Sequence, residues 1–258
     1  SSKCSLKTSI LILVDGYLFS SNLWYIKLIM PFSVFGLLEM FPKDLLIDNK
    51  SSINKYIMNF LSIDCSTSIG SLFVKFENKT FSKFLQSDKY SNDKLMKQIL
   101  DFFKENRLNL EDLSQIFINQ GPGNFSGLRG SIATAKGVSL SRNIKLSGYN
   151  TFIWSCGKFL NHKSSIFSFI KFKDRYFLKE FRDNFRDNSL IKEVTKDEII
   201  KKYDKEFKIV PKKIIKDFDK KILKLNNLNI VELDHNLLEF LQLKGLLEEK
   251  MINPLYLS

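Results

Sequence analysis

From residue 58 onward, the spacing of apolar and polar positions changes along the chain in a readable order. "MNFLSIDCSTSIGSLFVKF" reads as a strand, a tight turn and a second strand, with short β-branched and aromatic runs on either side of small polar residues. Strands are predicted over 59–64, 71–76 and 80–86, with Glu77, Asn78 and Lys79 forming a hairpin turn between the last two. Three antiparallel strands result. Leu95, Ile99, Phe102 and Phe103 then recur with the helical period, which predicts a helix over 92–106 with Ser91 placed to cap it. "SQIFIN" reads as a short buried strand over 114–119. It is followed by a helix over 126–141, a strand over 145–149 and a helix over 151–160.

Beyond residue 160 the pattern is poorer. "SSIFSFIKF" and "DRYFLKEF" predict a strand pair that opens a new sheet, with helical segments near 196–203 and 236–247. Between those helices lies a lysine-dense segment with little periodicity, and no internal repeat is visible. The predicted regions are therefore 58–160 and a shorter 161–258. Residues 1–57 differ from both. Their apolar runs, "LILVDGYLF" and "LIMPFSVFGLLEMF", are interrupted by Asp15, Lys27 and Glu39, so no uncharged run approaches the ~20 residues a membrane span needs. The ordered parts of a signal peptide are missing as well. Residues 1–57 are expected to be a non-native or disordered extension, with Met58 as the true start.

Composition narrows the class without naming it. With 44% apolar and 26% charged residues in 258, the chain has ordinary globular balance. Cys4, Cys65 and Cys156 are odd in number and far apart, which argues against a disulfide framework or a zinc knuckle and fits a reducing cytoplasm. The net charge of +12 favours a polyanionic partner in principle. However, abundant lysine, asparagine, isoleucine and phenylalanine are what an AT-rich genome imposes on every protein, so a solvated lysine-rich surface is the plainer reading.

Two stretches carry candidate chemistry. In "QGPGNFSGLRGSIATAK" (120–136) a strand delivers a glycine-rich loop to a helix, gathering free backbone N–H groups and the positive end of the helix dipole. Gly121 and Gly123 permit a tight turn or a close approach, Pro122 stiffens it, Asn124 lies in the loop, and Ser126 could cap the helix. The pattern is neither Walker A nor G-x-G-x-x-G, so phosphate cradling and a plain strand-to-helix turn both remain open. In the helix, Gly127, Gly130, Thr134 and Gly137 share one face, Leu128, Ile132 and Ala135 a second, and Arg129 and Lys136 a third. The second face would cover the sheet. The glycine face would admit a closely packed helix from this chain or from a partner.

The other stretch is "IDCSTS" (63–68). Asp64 followed by Ser66 and Thr67 after a strand is how actin-like and sugar-kinase-like ATPases present a metal-associated carboxylate and a phosphate loop, although Cys65 stands where such loops usually have glycine. A side chain at that position crowds a phosphate. With only His162 and His235, no histidine-pair metal site can be written. His235 beside Asp234 is expected to form a surface pair before a helix. Cys156 and Trp154 are expected in the core.

Taken together, "LSIDCSTS", "NQGPGNFSGLRGSIATAKG" and the closing "NPLYL" resemble the TsaB family, the non-catalytic dimerisation subunit of the bacterial system that makes threonylcarbamoyladenosine beside the tRNA anticodon. The resemblance is clear from Met58 to about Phe159, faint to Leu225, and returns at the C-terminal tail. It implies an α/β, actin-like (ribonuclease H-like) two-lobed fold with a smaller, degenerate second lobe. It also implies a catalytic TsaD-like partner met through N-lobe helices, a TsaE-like ATPase, and tRNA reached through the complex. A homodimer of the isolated chain is a further expectation. The partner surface would be the Gly127, Arg129, Gly130, Thr134 and Gly137 face together with the exposed side of 92–106. No catalytic residue, metal or cofactor of its own is implied, and ATP and Mg are expected at most at an interface shared with partners. Two departures stand out: "KYSND" where members often carry His-Ser-Glu before the first long helix, and the short second lobe. The alternative reading is an active actin-like ATPase or kinase using Asp64. A peptidase has the least support.

Overall fold

The computed structural model describes residues 9–14, 17–22, 58–85, 92–160, 163, 165–182 and 190–257. Ser91, Cys4 and His162 lie outside the described residues. The chain divides into two units, Ser1–Tyr56 and Ile57–Ser258. Within the first, β1 (Ser9–Val14) and β2 (Tyr17–Asn22) form an antiparallel pair, with Val14 opposite Tyr17.

The second unit opens with β3 (Phe60–Asp64), β4 (Gly70–Phe76) and β5 (Lys79–Leu85), a meander whose last turn is made by Glu77 and Asn78, with Glu77 at positive φ. Helix α1 (Asn92–Glu105), β6 (Gln115–Asn119), α2 (Phe125–Arg142), β7 (Lys145–Tyr149) and α3 (Thr151–Cys156) follow, the last running on into a 3₁₀ turn at Gly157–Phe159. The sheet order is β5-β4-β3-β6-β7, with β6 and β7 parallel to β3. Strands β3 and β6 are buried along their whole length, as strands covered on both faces must be.

The two faces carry different chemistry because strand side chains alternate. Leu61, Ile63, Ile116 and Ile118 point to one face, where Leu95, Ile99, Phe102 and Phe103 of α1 and Ile132, Ala135 and Val138 of α2 cover them. On the other face, Phe60, Phe73, Phe117 and Tyr149 join an aromatic core shared with the second lobe. On the same face of β3 and β6 as Phe60 and Phe117, Ser62, Asp64 and Asn119 are buried and polar. Period 2 thus places the site-forming side chains on the inter-lobe face.

The second lobe holds β8 (Ser165–Phe172), β9 (Arg175–Arg182), β10 (Lys192–Val194), α4 (Lys196–Lys202), β11 (Lys208–Pro211), a 3₁₀ segment Lys212–Asp217, α5 (Lys220–Leu223), β12 (Leu228–Val231) and α6 (Leu237–Leu243). Its order, β10-β9-β8-β11-β12, repeats that of the first sheet, with β11 parallel to both β8 and β12. The repeat missing from the sequence is therefore present in topology. The lysine-dense segment, in which little periodicity is visible, supplies two of these strands. What is reduced in this lobe is its crossover helices, 7 and 4 residues against 14 and 18 in the first. Lys208 is wholly buried, yet its ammonium donates to the carbonyls of Tyr203, Asp204 and Glu206, so the charge is satisfied within the turn after α4.

The last residues return to the first lobe. Gly148 of β7 and Glu248 exchange backbone hydrogen bonds at 2.7 and 2.8 Å, and the Leu255 amide donates to the Gln120 carbonyl at 2.7 Å. Among the described residues, no helix is long and apolar enough to cross a membrane.

Candidate functional site

Asp64 ends β3 and Asn119 ends the neighbouring parallel strand β6, so the pleat aims both side chains at one point in the cleft between the lobes. Asp64 Oδ1 accepts from the Ser66 amide at 3.0 Å and from Asn119 Nδ2 at 2.9 Å. Its Oδ2 accepts from Lys213 Nζ at 2.9 Å, and the same ammonium donates to Ser66 Oγ at 2.8 Å. Lys213 comes from the 3₁₀ segment after β11, the second-lobe counterpart of the loop after β6. Burial alone would push the Asp64 carboxyl up, but the Lys213 charge and the hydrogen bonds from Lys213 and Ser66 hold it at about 2. Asn119 also reaches Thr151 Oγ1 at 3.2 Å and accepts from the Gly121 amide at 2.8 Å.

The glycine-rich loop is tied to this cluster from outside. Gly121 sits at φ 108°, which favours glycine, and its peptide bond to Pro122 is cis. The Asn124 amide donates to the Ser66 carbonyl at 2.8 Å, and a Cβ on Gly123 would lie 1.9 Å from that same oxygen. Asn124, rather than Ser126, caps α2, its side chain accepting from the Gly127 amide. Three amides of the loop and the first turn of α2, those of Gly121, Asn124 and Gly127, are thus already paired within the chain. Pro122 has none to offer.

The predicted partner face divides. A Cβ on Gly127 would lie 2.6 Å from the Cys65 carbonyl, so this glycine serves close packing of α2 on the end of β3. Gly130 is buried and its carbonyl accepts from Thr134 Oγ1 at 2.9 Å. Gly137 is exposed, with open space where a Cβ would be. Arg129 is exposed and stacks on Phe125, which in turn lies on Tyr256 of the tail. The Cys65 side chain turns to the α2 core and away from the cleft; burial pushes its thiol up to about 12. Crowding at the cleft therefore comes from Lys213 and the Ser66–Asn124 contact, not from Cys65.

Sequence reasoning missed Asn119, Lys213, Thr151 and the role of His235. Far from forming a surface pair, His235 is largely enclosed. It stacks on Phe73 at 4.9 Å, lies against Trp154 at 4.8 Å, and its Nδ1 is 2.9 Å from Ser62 Oγ. Ser62 in turn meets the buried Tyr149 hydroxyl at 3.1 Å. Burial brings His235 down to about 4 and raises Tyr149 well above its ordinary value. Trp154 and Cys156 are in the core as expected, and the Trp154 Nε1 donates to the Asp234 carbonyl. Thr67, Ser68 and Lys213 line two adjoining clefts of about 630 and 700 Å³, one toward Pro122, Lys171 and Tyr256, the other toward Phe84, Trp154 and His235.

The fit of a divalent ion can be judged on these contacts. Mg²⁺ needs near-octahedral oxygen ligands. Here the nearest acidic oxygens are already paired to an ammonium, an amide and a carboxamide. Among the described residues, no group of three His, Cys, Asp or Glu side chains could hold a metal. The site does not fit the ion that an actin-like ATPase would carry at Asp64.

Two repeated sheets with a cleft between them give the chain a two-lobed α/β fold of the actin-like, ribonuclease H-like type. Two solved structures from Pseudomonas aeruginosa share the fold, each covering 78% of this chain and 100% of theirs. One is described as an uncharacterized protein with similarity to peptidase YeaZ (TM-score 0.57, 15% identity), the other as YeaZ (TM-score 0.55, 16% identity). The family model for TsaD, tRNA N6-adenosine threonylcarbamoyltransferase, matches residues 86–161. A curated relative from Buchnera aphidicola subsp. Baizongia pistaciae, the tRNA threonylcarbamoyladenosine biosynthesis protein TsaB, is 30% identical over 90 residues, which is 34% of this chain and 40% of that protein. YeaZ is TsaB. The chain is thus similar in sequence to a TsaB protein and to the TsaD model over part of its length, and in fold to YeaZ. The sequence match spans less than half the length of that curated relative.

Proposed function

We propose that this chain is a non-catalytic partner subunit in the formation of threonylcarbamoyladenosine on tRNA, working by pairing with a TsaD-type catalytic subunit. The carrying observation is the state of Asp64: the one carboxylate that an actin-like ATPase would use here is engaged by Lys213, Asn119 and Ser66. The second hairpin adds support. In the first lobe five residues, 65–69, separate β3 from β4, whereas Lys173 and Asp174 alone join β8 to β9, leaving no serine- or threonine-bearing phosphate loop there.

The exposed surface of α2 around Arg129, Thr134 and Gly137, together with Lys97, Leu100 and Asp101 of α1, is the proposed contact face. A TsaE-type ATPase and tRNA are reached through the pair, and any nucleotide with its Mg is held at the shared interface. Co-expression with the TsaD homologue of the same organism, followed by gel filtration at micromolar concentration, tests the pairing; separate elution counts against it. An unchanged threonylcarbamoyladenosine content in cells depleted of this protein would overturn the reading. The competing ATPase reading, favoured only by the open cleft beside Thr67 and Ser68, requires Mg-dependent ATP turnover that Asp64→Ala abolishes.

A further inference from the structure

We propose that Lys213 is a tethered cation that takes the place a divalent ion would hold at Asp64, and that it fastens the second lobe to the first through that carboxylate. This deepens the reading of the chain as non-catalytic and rests on it. The argument begins with topology. Because the two sheets share one strand order, the segment after β11 approaches the cleft from the second lobe as the loop after β6 does from the first. Asn119 reaches Asp64 from the first side, and Lys213, 149 residues from Asp64 along the chain, reaches it from the other.

The ammonium is held by more than the carboxylate. It donates to Asp64 Oδ2 and Ser66 Oγ, and it lies 5.6 Å from the Trp154 ring centre, which favours a cation. Its side chain is 23% exposed and that of Asp64 7%, so the pair lies largely out of reach of solvent screening. The other charged groups lining the two clefts with Lys213 are Asp217, Lys171 and Lys173 on one side, and Glu232, Asp234, Lys83 and His235 on the other. Among the described contacts, none of them pairs with Lys213 or Asp64. A divalent ion on Asp64 would have to sit within a few ångströms of the ammonium, and like-charge repulsion at that range in a part-buried site opposes it. Removing the ammonium leaves a buried carboxylate without its counter-charge, which is the condition that recruits a cation.

The test is a Mn²⁺ titration of the full chain, with free Mn²⁺ followed by its electron paramagnetic resonance signal. Wild type is expected to show no Asp64-dependent binding at millimolar Mn²⁺. Lys213→Ala should gain affinity by roughly tenfold or more, and the double variant Lys213→Ala with Asp64→Asn should lose that gain. Should Lys213→Ala fail to fold, Lys213→Met, which keeps the aliphatic stem over Trp154, is titrated in its place. Wild-type binding that Asp64→Asn removes, or a Lys213 variant no tighter than wild type, overturns the proposal. The titration needs no partner protein, so its failure is distinct from a failure to co-elute with a TsaD-type subunit.

Discussion

A methyl group added at Gly123 should unfold this protein far more readily than one added at Gly137, although both glycines belong to the same loop-helix motif. An ideal Cβ at Gly123 would lie 1.9 Å from the Ser66 carbonyl oxygen and 2.6 and 2.7 Å from its carbonyl carbon and Cα. All three are backbone atoms, so no side chain can turn aside to make room. The loop must withdraw, breaking the 2.8 Å hydrogen bond from the Asn124 amide to the same oxygen. Overpacking costs about 1–3 kcal/mol and the lost hydrogen bond about 1 kcal/mol, so Gly123→Ala should destabilise by about 3 kcal/mol. For a chain of this size that corresponds to a fall in Tm of roughly 6–12 °C. Gly137 lies within α2 with open space at the Cβ position, so Gly137→Ala should gain up to about 1 kcal/mol of helix propensity and raise Tm by about 2–4 °C. Thermal unfolding of the isolated full chain, followed by far-ultraviolet circular dichroism, reads both. A Gly123→Ala variant melting within about 1 °C of wild type would refute the close-approach argument.

Other expectations are more direct. His235 is held neutral, with its value brought from 6.5 to about 4, so the unfolded chain takes up a proton that the folded one resists. Stability from this group is full above pH 6.5 and falls as the pH drops toward 4, by on the order of 2 kcal/mol given its partial exposure. His235→Phe should keep the stacking on Phe73 and flatten that slope in urea titrations at pH 7, 6, 5 and 4.5, where an unchanged slope would count against it. Asn124→Ala removes the cap of α2 and should cost about 1 kcal/mol in the urea midpoint analysis, whereas Ser126→Ala should leave it unchanged. Burial pushes the thiols of both Cys65 and Cys156 up to about 12, so neither should react with a disulfide reagent until the chain unfolds; mass mapping of labelled peptides reports which residues react.

The elements were legible wherever burial imposed a period. Leu95, Ile99, Phe102 and Phe103, read as one helical stripe, are all buried under α1, and Leu128, Ile132 and Ala135 are buried under α2. Asp64 stood out in the sequence because a carboxylate at a strand end is uncommon chemistry. Asn119 could have been found by the same alternation, since it lies two residues beyond Phe117 on the same face of β6. Lys213 could not. It is one of many lysines in a segment whose two strands are only 4 residues each, too short to show a period. What distinguishes it is a contact between residues 149 apart. His235 was misread for a related reason: its neighbour Asp234 suggested a local pair, while its partner Ser62 is 173 residues away. The left-handed glycine at 121 and the clash distance at 123 depend on backbone paths that composition does not encode.

The return of the tail to the glycine loop bears on how the molecule is built in time. Gln120 is held at both its carbonyl and its side chain by Leu255 and Asn253, across 133 residues in the second case, and β7 is bridged to Glu248. These bonds close long loops, and the ordering entropy of a long loop must be met before any contact rewards it. The two stretches that carried the family likeness, "GPGNFSG" and "NPLYL", are therefore the two halves of one seam. The first lobe's glycine loop is thus closed by hydrogen bonds from residues near the far end of the chain.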